Sequence, residues 1–211
     1  MALRVDHAVI SGTFSLDGQT FDVDNNVWVV GDDAECVVID APHSVDDILA
    51  VVGDRKVKAI ICTHAHHDHV RVAPALREAV NQGAGAPILL HPDDRPLWEL
   101  THPQDSQGYL WDVDLTDDQT ITVAGEEIRV LHTPGHAPGA VCLSVPSLGC
   151  VFTGDTLFEG GPGATGRSYS DADQIVDSIR ARLFALPDDT VVHTGHGPDT
   201  TIGAERANLA D

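Results

Sequence analysis

The stretch AIICTHAHHDHV, residues 59–70, joins an apolar run to four histidines and an aspartate within six positions. Such a run has no advantage in packing, because each buried imidazole carries two nitrogens that need partners. Histidine-rich tracts are typical of metal binding. The stretch therefore predicts a metal-binding loop at the end of a strand, with a solvated histidine-rich loop as the alternative.

The spacing within this loop divides its side chains into two pairs. His64 and His66 lie two apart in extended chain, so their side chains point the same way. Asp68 and His69 fall in the first turn of a helix that we expect to begin near Val70. His67 lies between the pairs and is expected to point elsewhere.

Three later apolar runs also end on a possible metal ligand. They lead to His136 in TPGHAPG, to Asp155 in FTGDT and to His196 in TGHGP. Loops at one edge of a rigid sheet are the usual place for a functional site. The glycines beside each residue allow backbone and substrate to approach closely. TGHGP alone could be an ordinary loop, but the four coinciding motifs indicate one shared site.

Strand-like and helix-like runs alternate unevenly along the chain, which favours an α/β (α+β) sandwich over a regular doubly wound sheet. No linker marks a boundary, so the prediction is one domain over residues 1–211. Strands are predicted at 26–31, 36–41, 58–64, 87–92, 121–133, 139–146, 150–155 and 190–196, and the segment VAGEEI within 121–133 is predicted as a turn between two paired strands. Helices are predicted at 44–53, 70–83 and 170–186.

Composition excludes several classes of partner. The formal net charge of −21 disfavours nucleic acid and anionic membrane surfaces. No signal peptide or membrane-spanning stretch is recognisable, and the four scattered cysteines suit reduced, buried thiols. We therefore expect a cytoplasmic protein whose partner is a small molecule, and the sequence does not predict an oligomeric state.

The motifs THAHHDH, TPGHAPG, FTGDTLF and TGHGP, in this order, resemble those of the metallo-β-lactamase superfamily, and within it the small glyoxalase II-like hydrolases. The resemblance implies a four-layer αββα sandwich with metals at one edge of its two sheets. It implies a first metal on His64, His66 and His136, and a second on Asp68, His69 and His196, with Asp155 bridging them. The helical C-terminal domain of full-length glyoxalase II enzymes is not recognisable after His196.

This ligand set implies two divalent metal ions, with zinc expected ahead of iron or manganese. Two such ions about 3.5–4 Å apart can hold a water whose pKa falls towards about 7, so a metal-bound hydroxide attacks a carbonyl. Asp68 is the predicted catalytic residue that orients this nucleophile. A thioester is the expected substrate, because a thiolate leaves without a strong acid.

The segment after Asp155 occupies the place where members of the family often bind substrate. Arg167 and Tyr169 are the predicted substrate-binding residues, since an arginine can pair with a substrate carboxylate. The alternative for Arg167 is a surface ion pair with an acidic neighbour. Three aromatic residues at 94–114 could line a pocket, but packing is the preferred interpretation: Trp98, Tyr109 and Trp111.

Three other functions remain open at this level. A persulfide dioxygenase of similar sequence would bind one iron through His64, His136 and Asp155, a set that matches iron oxygenases. A lactonase would use the same two-metal centre. A metal-stabilised binding module is possible too, since a fold does not dictate function.

Overall fold

The computed structural model describes residues 2–103 and 110–209. Its first sheet has six strands that lie side by side in chain order: β1 (Arg4–Leu16), β2 (Gln19–Gly31), β3 (Glu35–Ile39), β4 (Lys56–Ile61), β5 (Ile88–Leu90) and β6 (Val113–Asp114). The pairs β1–β2 and β2–β3 are antiparallel, and from β3 to β6 the pairing is parallel.

The remaining strands form a second sheet and a small hairpin. They are β7 (Thr120–Val123), β8 (Glu126–His132), β9 (Val141–Val145), β10 (Cys150–Gly154), β11 (Leu157–Phe158), β12 (Gly161–Pro162), β13 (Val191–Thr194) and β14 (Thr200–Thr201). The second sheet has the order β14-β13-β10-β9-β8-β7, and β11 pairs only with β12. Only β10 and β13 are parallel neighbours in it.

In the described part of the chain, six α-helices cover the outer faces of the two sheets. They are α1 (Val45–Val52), α2 (His67–Val70), α3 (Ala73–Ala79), α4 (Arg95–Thr101), α5 (Ala172–Ser178) and α6 (Ile202–Asn208). Short 3₁₀ turns occupy Asn81–Gly83, Pro92–Asp94 and Pro146–Leu148, and a π-helical turn follows α5 at Ile179–Leu183.

The alternation of side chains along each strand builds the layers. Ile61 of β4 packs between the sheets with Leu143 of β9, whereas its neighbour Ile60 packs outward in the cluster that contains Ile48 of α1. On the other side, Cys142 of β9 packs outward in the cluster that α5 and α6 complete. The order is helices, sheet, sheet, helices, so the predicted αββα sandwich is confirmed.

Several predicted elements differ in detail from the structure. The helix predicted at 70–83 is broken, because α2 ends at Val70 and Pro74 then lies in the first turn of α3, the position at which proline is tolerated. The α2 helix begins at His67, three residues before the predicted start. Strand β1, α4 and α6 were not predicted.

The four cysteines are buried and free, as expected. Among residues 2–103 and 110–209, no helix is long and apolar enough to cross a membrane. Trp98 is fully buried and Trp111 nearly so, in agreement with a packing role, while Tyr109 lies outside the described residues.

Candidate metal centre

Four loops at one edge of the sandwich carry the predicted ligands. His64, His66 and the start of α2 follow β4, and His136 lies in the loop between β8 and β9. Asp155 directly follows β10, and His196 follows β13. Because β10 and β13 are parallel neighbours, their carboxyl ends bring Asp155 and His196 to the same place.

Three of the histidines form a first triad of nitrogens. The Nδ1 atom of His66 lies 3.0 Å from Nε2 of His64 and 2.9 Å from Nε2 of His136. All three side chains are buried. One cation could bind all three nitrogens, since their separations suit ligands of a common ion.

A second triad lies beside the first. The Nε2 atom of His196 lies 3.3 Å from Oδ2 of Asp68 and 3.2 Å from Nε2 of His69. The same oxygen of Asp68 is 3.7 Å from His69 Nε2. These residues also form a set that could hold one metal ion.

The carboxylate of Asp155 lies between the two triads. Its Oδ2 atom is 3.5 Å from His136 Nε2 in the first triad and 3.5 Å from His196 Nε2 in the second. Its Oδ1 atom is 3.3 Å from His69 Nε2. The structure thus brings all seven predicted ligand residues together, with the predicted bridging residue in the middle.

The outward-facing nitrogens of two histidines test whether this cluster fits a metal. His136 Nδ1 is 2.8 Å from the carbonyl oxygen of Ala164, and His196 Nδ1 is 2.7 Å from that of Asp24. A carbonyl only accepts, so each Nδ1 carries a hydrogen, and in the neutral imidazole each Nε2 then presents a lone pair to the centre. Lone pairs that converge on carboxylates repel one another unless a cation lies among them. The donor set fits divalent metals.

The carboxylate of Asp40 contacts His69, one of the ligands of the second triad. Its Oδ2 atom is 2.8 Å from His69 Nδ1 and also accepts a 2.8 Å hydrogen bond from the Thr63 hydroxyl. Its other oxygen accepts the backbone N–H of Thr63 at 2.7 Å. Carboxylates that hold a ligating imidazole in this way fix its orientation. Asp40 was not predicted from the sequence.

Asp94 ties the two loops of the first triad together. One oxygen accepts the N–H of Ala65, which lies between His64 and His66, at 2.7 Å. The other accepts the N–H of Gly139, three residues after His136, at 2.5 Å. Asp94 is fully buried, and this burial raises its pKa to about 7. This residue was not predicted from the sequence either.

Burial also sets the charge of the first triad. It lowers the pKa of His64 well below the ordinary value and lowers that of His66 to about 3, and neighbouring histidines add to both shifts. Burial likewise lowers the pKa of His136. These imidazoles are therefore neutral at pH 7, which is the form that binds metals.

The second triad is electrically different. Burial opposes protonation of His69 and His196, but the neighbouring carboxylates, chiefly Asp155 together with Asp68, outweigh it and raise both pKa values, that of His196 to about 10. Burial raises the pKa of Asp68, yet His69 and His196 hold it down at about 2. The surroundings of this triad therefore strongly favour positive charge, whether from protons or from a metal ion.

A cavity of about 330 Å³ opens onto both triads. Arg167 lies in its wall, with its guanidinium 4.9 Å from the ring centre of Phe14 and 4.8 Å from that of Phe21. Tyr169 is not part of that wall; it is 47% exposed and has a positive φ of 71°. The structure brings Arg167 to the site and leaves Tyr169 outside it.

His67 points away from the centre, as expected. Its Nδ1 lies 3.1 Å from the carbonyl oxygen of Thr13 in β1. The long β1–β2 hairpin therefore contacts the metal loop, and Asp17 at its turn accepts the N–H of Ser168 at 3.0 Å. The hairpin and the loop of Arg167 together form one side of the cavity.

A family model and a relative both match most of this chain. A family model described as the metallo-beta-lactamase superfamily matches residues 20–196. Hydroxyacylglutathione hydrolase GloC of Haemophilus influenzae is 30% identical over 191 residues, which are 85% of this chain and 87% of that protein.

Two solved structures are similar along most of their length. The crystal structure of TTHA1623 in a di-iron-bound form has a TM-score of 0.74 at 32% identity, covering 95% of this chain and 98% of the other. ETHE1 from Myxococcus xanthus has a TM-score of 0.72 at 27% identity, covering 95% of this chain and 83% of the other.

Proposed function

The chain belongs to the metallo-β-lactamase superfamily, and from that premise we propose that it is a binuclear metal-dependent hydrolase that cleaves small-molecule thioesters. Two divalent ions, with zinc favoured and iron or manganese as alternatives, would bind to the two triads. The observation that carries the proposal is the Asp155 carboxylate, which faces His136 of one triad and His69 and His196 of the other. A single-ion site would not need both triads.

A bound pair of divalent ions supplies an acidified water and a Lewis acid for a carbonyl oxygen. The chain's own residues position this chemistry. Asp68 is almost completely buried, and its low pKa keeps it a carboxylate at neutral pH. It therefore accepts hydrogen bonds and orients a nucleophilic water, and it does not hold a proton at rest.

The leaving group follows from the composition of the cavity wall. Among the described residues of that wall, the titratable side chains besides the seven ligand residues are Asp24 and Arg167. Carboxylic acids and guanidinium groups are, as classes of side chain, poor general acids at neutral pH, so this wall offers no evident donor to a leaving group. A thiolate, with a pKa of about 8.5, departs without such a donor, whereas an alkoxide needs one.

Arg167 favours a thioester that carries an anionic group. None of the described carboxylates forms an ion pair with its guanidinium, which the rings of Phe14 and Phe21 hold in place. Its N–H groups are thus available to a substrate carboxylate, which a guanidinium binds in bidentate fashion. The name of the GloC relative, a hydroxyacylglutathione hydrolase, supports the same substrate class.

The experiment is thiol release from S-lactoylglutathione by protein purified with its native metal. Lactones and simple oxygen esters serve as comparison substrates, and oxygen uptake with glutathione persulfide is followed in parallel. Thioester cleavage at least about tenfold faster than ester or lactone cleavage is expected. Oxygen uptake without thioester cleavage would identify a persulfide dioxygenase and refute the proposal, and faster lactone cleavage would identify a lactonase.

We also propose a cytoplasmic location and a small-molecule partner. The four buried, unpaired cysteines support a reducing compartment. The net charge of −21 supports the exclusion of nucleic acid.

A further inference from the structure

Asn25 of strand β2 lies against the second triad. Its side chain is buried, and its terminal Nδ2 position is 3.2 Å from Asp68 Oδ2. The same position is 3.3 Å from His69 Nε2 and 3.4 Å from His196 Nε2. One corner of the carboxamide thus contacts all three ligand atoms of the second triad at nearly equal distances.

These four atoms form a nearly regular tetrahedron. The three distances from Asn25 are 3.2–3.4 Å, and those among the triad atoms are 3.2, 3.3 and 3.7 Å. A tetrahedron with edges of about 3.3 Å has its centre about 2.0 Å from each corner, which is the distance at which zinc binds nitrogen and oxygen ligands. The Asn25 corner is therefore at ligand distance.

The carboxamide can present either end to this point. A half-turn of the amide exchanges Oδ1 and Nδ2, whose assignment rests on the hydrogen-bond partners. The other end of the amide faces His43 Nε2 at 2.8 Å, and an imidazole nitrogen can donate or accept according to its tautomer. His43 can therefore pair with the amide in both orientations. An N–H₂ group directed at a cation is unfavourable, whereas an amide oxygen is a good ligand.

We propose that Asn25 supplies its amide oxygen as a further ligand to the metal ion held by Asp68, His69 and His196. Asp155 would add a fifth donor, a coordination number that zinc accepts. This inference rests on the two-metal centre of the proposed function but not on its substrate. If Asn25 serves only as a hydrogen-bond donor to Asp68, its oxygen contributes nothing to metal binding.

Two variants distinguish an Asn25 oxygen that binds the metal from an Asn25 N–H group that only donates a hydrogen bond. Asn25→Asp keeps the shape of the side chain and places an oxygen at either corner, but it has no N–H to donate. Asn25→Ala removes both. Gln174→Glu makes the same change of amide to carboxylate on the exposed surface of α5, so it controls for the added charge.

The measurement is the stepwise dissociation constant of each Zn²⁺ ion, obtained by competition with a chromogenic chelator, with Co²⁺ absorption as a second readout. We expect Asn25→Ala to weaken the second ion roughly 10–100-fold and to leave the first ion bound. For Asn25→Asp and Gln174→Glu, we expect the dissociation constant of the second ion to be no more than about three times that of the wild type. Retention of the first ion and the far-UV circular dichroism spectrum confirm that each variant is folded.

The inference is overturned if folded Asn25→Asp loses the second ion, or if Asn25→Ala binds it as the wild type does. It is also overturned if the wild type binds only one ion. These outcomes are independent of turnover. Asn25-dependent binding of a second ion without thioester cleavage would refute the proposed function alone, and thioester cleavage with Asn25-independent metal binding would refute this inference alone.

Discussion

Gly195 lies against the bridging ligand, and adding one methyl group there tests how tightly the centre is built. A Cβ atom at this position would lie 2.4 Å from Asp155 Oδ1 and 2.9 Å from His69 Cε1. Two backbone hydrogen bonds hold Gly195 in place. Its N–H donates to the Gly154 carbonyl, and its carbonyl accepts from the Asn26 N–H, both at 2.8 Å. Gly195→Ala must therefore displace the carboxylate or the imidazole.

The distance by which the Asp155 carboxylate must move determines the expected loss of activity and of metal affinity. Non-bonded carbon and oxygen atoms pack at about 3.4 Å or more, so the Asp155 carboxylate would have to move by roughly 1 Å. Metal–ligand distances are held to about 0.2 Å, and a 1 Å misplacement near reacting groups costs about 100-fold in rate. We expect kcat/KM to fall about 100-fold and the second metal to bind roughly 10–100-fold more weakly.

The assay combines metal content after dialysis, urea unfolding and steady-state thioester cleavage. Gly18→Ala is the control. Gly18 lies in the β1–β2 turn at φ 74°, and a Cβ there meets nothing within 4 Å, so this variant carries backbone strain without a collision. Both variants are expected to lose about 1–3 kcal/mol of unfolding free energy, but only Gly195→Ala should lose metal. Unchanged metal content and kcat/KM in Gly195→Ala would refute the reasoning.

Three further predictions concern substrate, support and metal. Arg167→Gln should raise KM for an anionic thioester about 10–100-fold, the worth of one charged hydrogen bond, and leave a neutral thioester unaffected; equal effects on both would contradict this. Asp94→Asn should cost about 1–3 kcal/mol in urea unfolding, because an amide nitrogen cannot accept the second backbone N–H. Asp94 has a pKa of about 7 in the folded protein against an ordinary 3.8, so between about pH 4 and 7 it keeps a proton that the unfolded chain releases. The unfolding free energy of the wild type therefore falls over this range, and its difference from that of Asp94→Asn narrows. A difference that does not change with pH would contradict the raised pKa. Removal of metal with EDTA should lower the melting temperature by roughly 10 °C if the ion is present at about 1,000 times its dissociation constant, and zinc should restore it.

The sequence predicted the candidate ligands because they lie in short motifs at the ends of strands. The parallel strands β10 and β13 carry Asp155 and His196 to one edge of the sheet, as their positions in the sequence indicate. The α/β sandwich followed from the uneven interleaving of strand-like and helix-like runs, and its four layers from the resemblance to the metallo-β-lactamase superfamily. These features depend on local patterns that a single chain displays.

The supporting residues were missed because their partners are distant in sequence. Asp40 lies 29 residues from His69, and Asp94 lies 45 from Gly139. Each carboxylate follows an apolar run in no recognisable motif, and its role depends on tertiary contacts. Asn25 and Asn26 did offer a signal, because two adjacent amides directly before the apolar run VWVV of β2 need hydrogen-bond partners when they are buried. Asn26 finds them in the loop of His196, where it donates to the carbonyls of Thr194 and Gly197.

The break in the helix predicted at 70–83 has a cause in the sequence itself. Pro74 marks the start of a second helix, and the turn before it places Asp68 and His69 in a helix of four residues, with no room for a longer one. The β1 strand lacked a strong apolar alternation, and its pairing with β2 provides most of its order. Its contribution to the cavity, through Phe14, was therefore not predicted from the sequence.

The most direct test of the two-metal centre is the number of metal ions per chain, measured by elemental analysis on protein purified without added metal. The proposed two-metal centre predicts two divalent ions in the wild type and one in His69→Ala, because His69 is a ligand of the second triad and is absent from the triad of His64, His66 and His136. A single iron per chain in the wild type, unchanged in His69→Ala, would contradict the account.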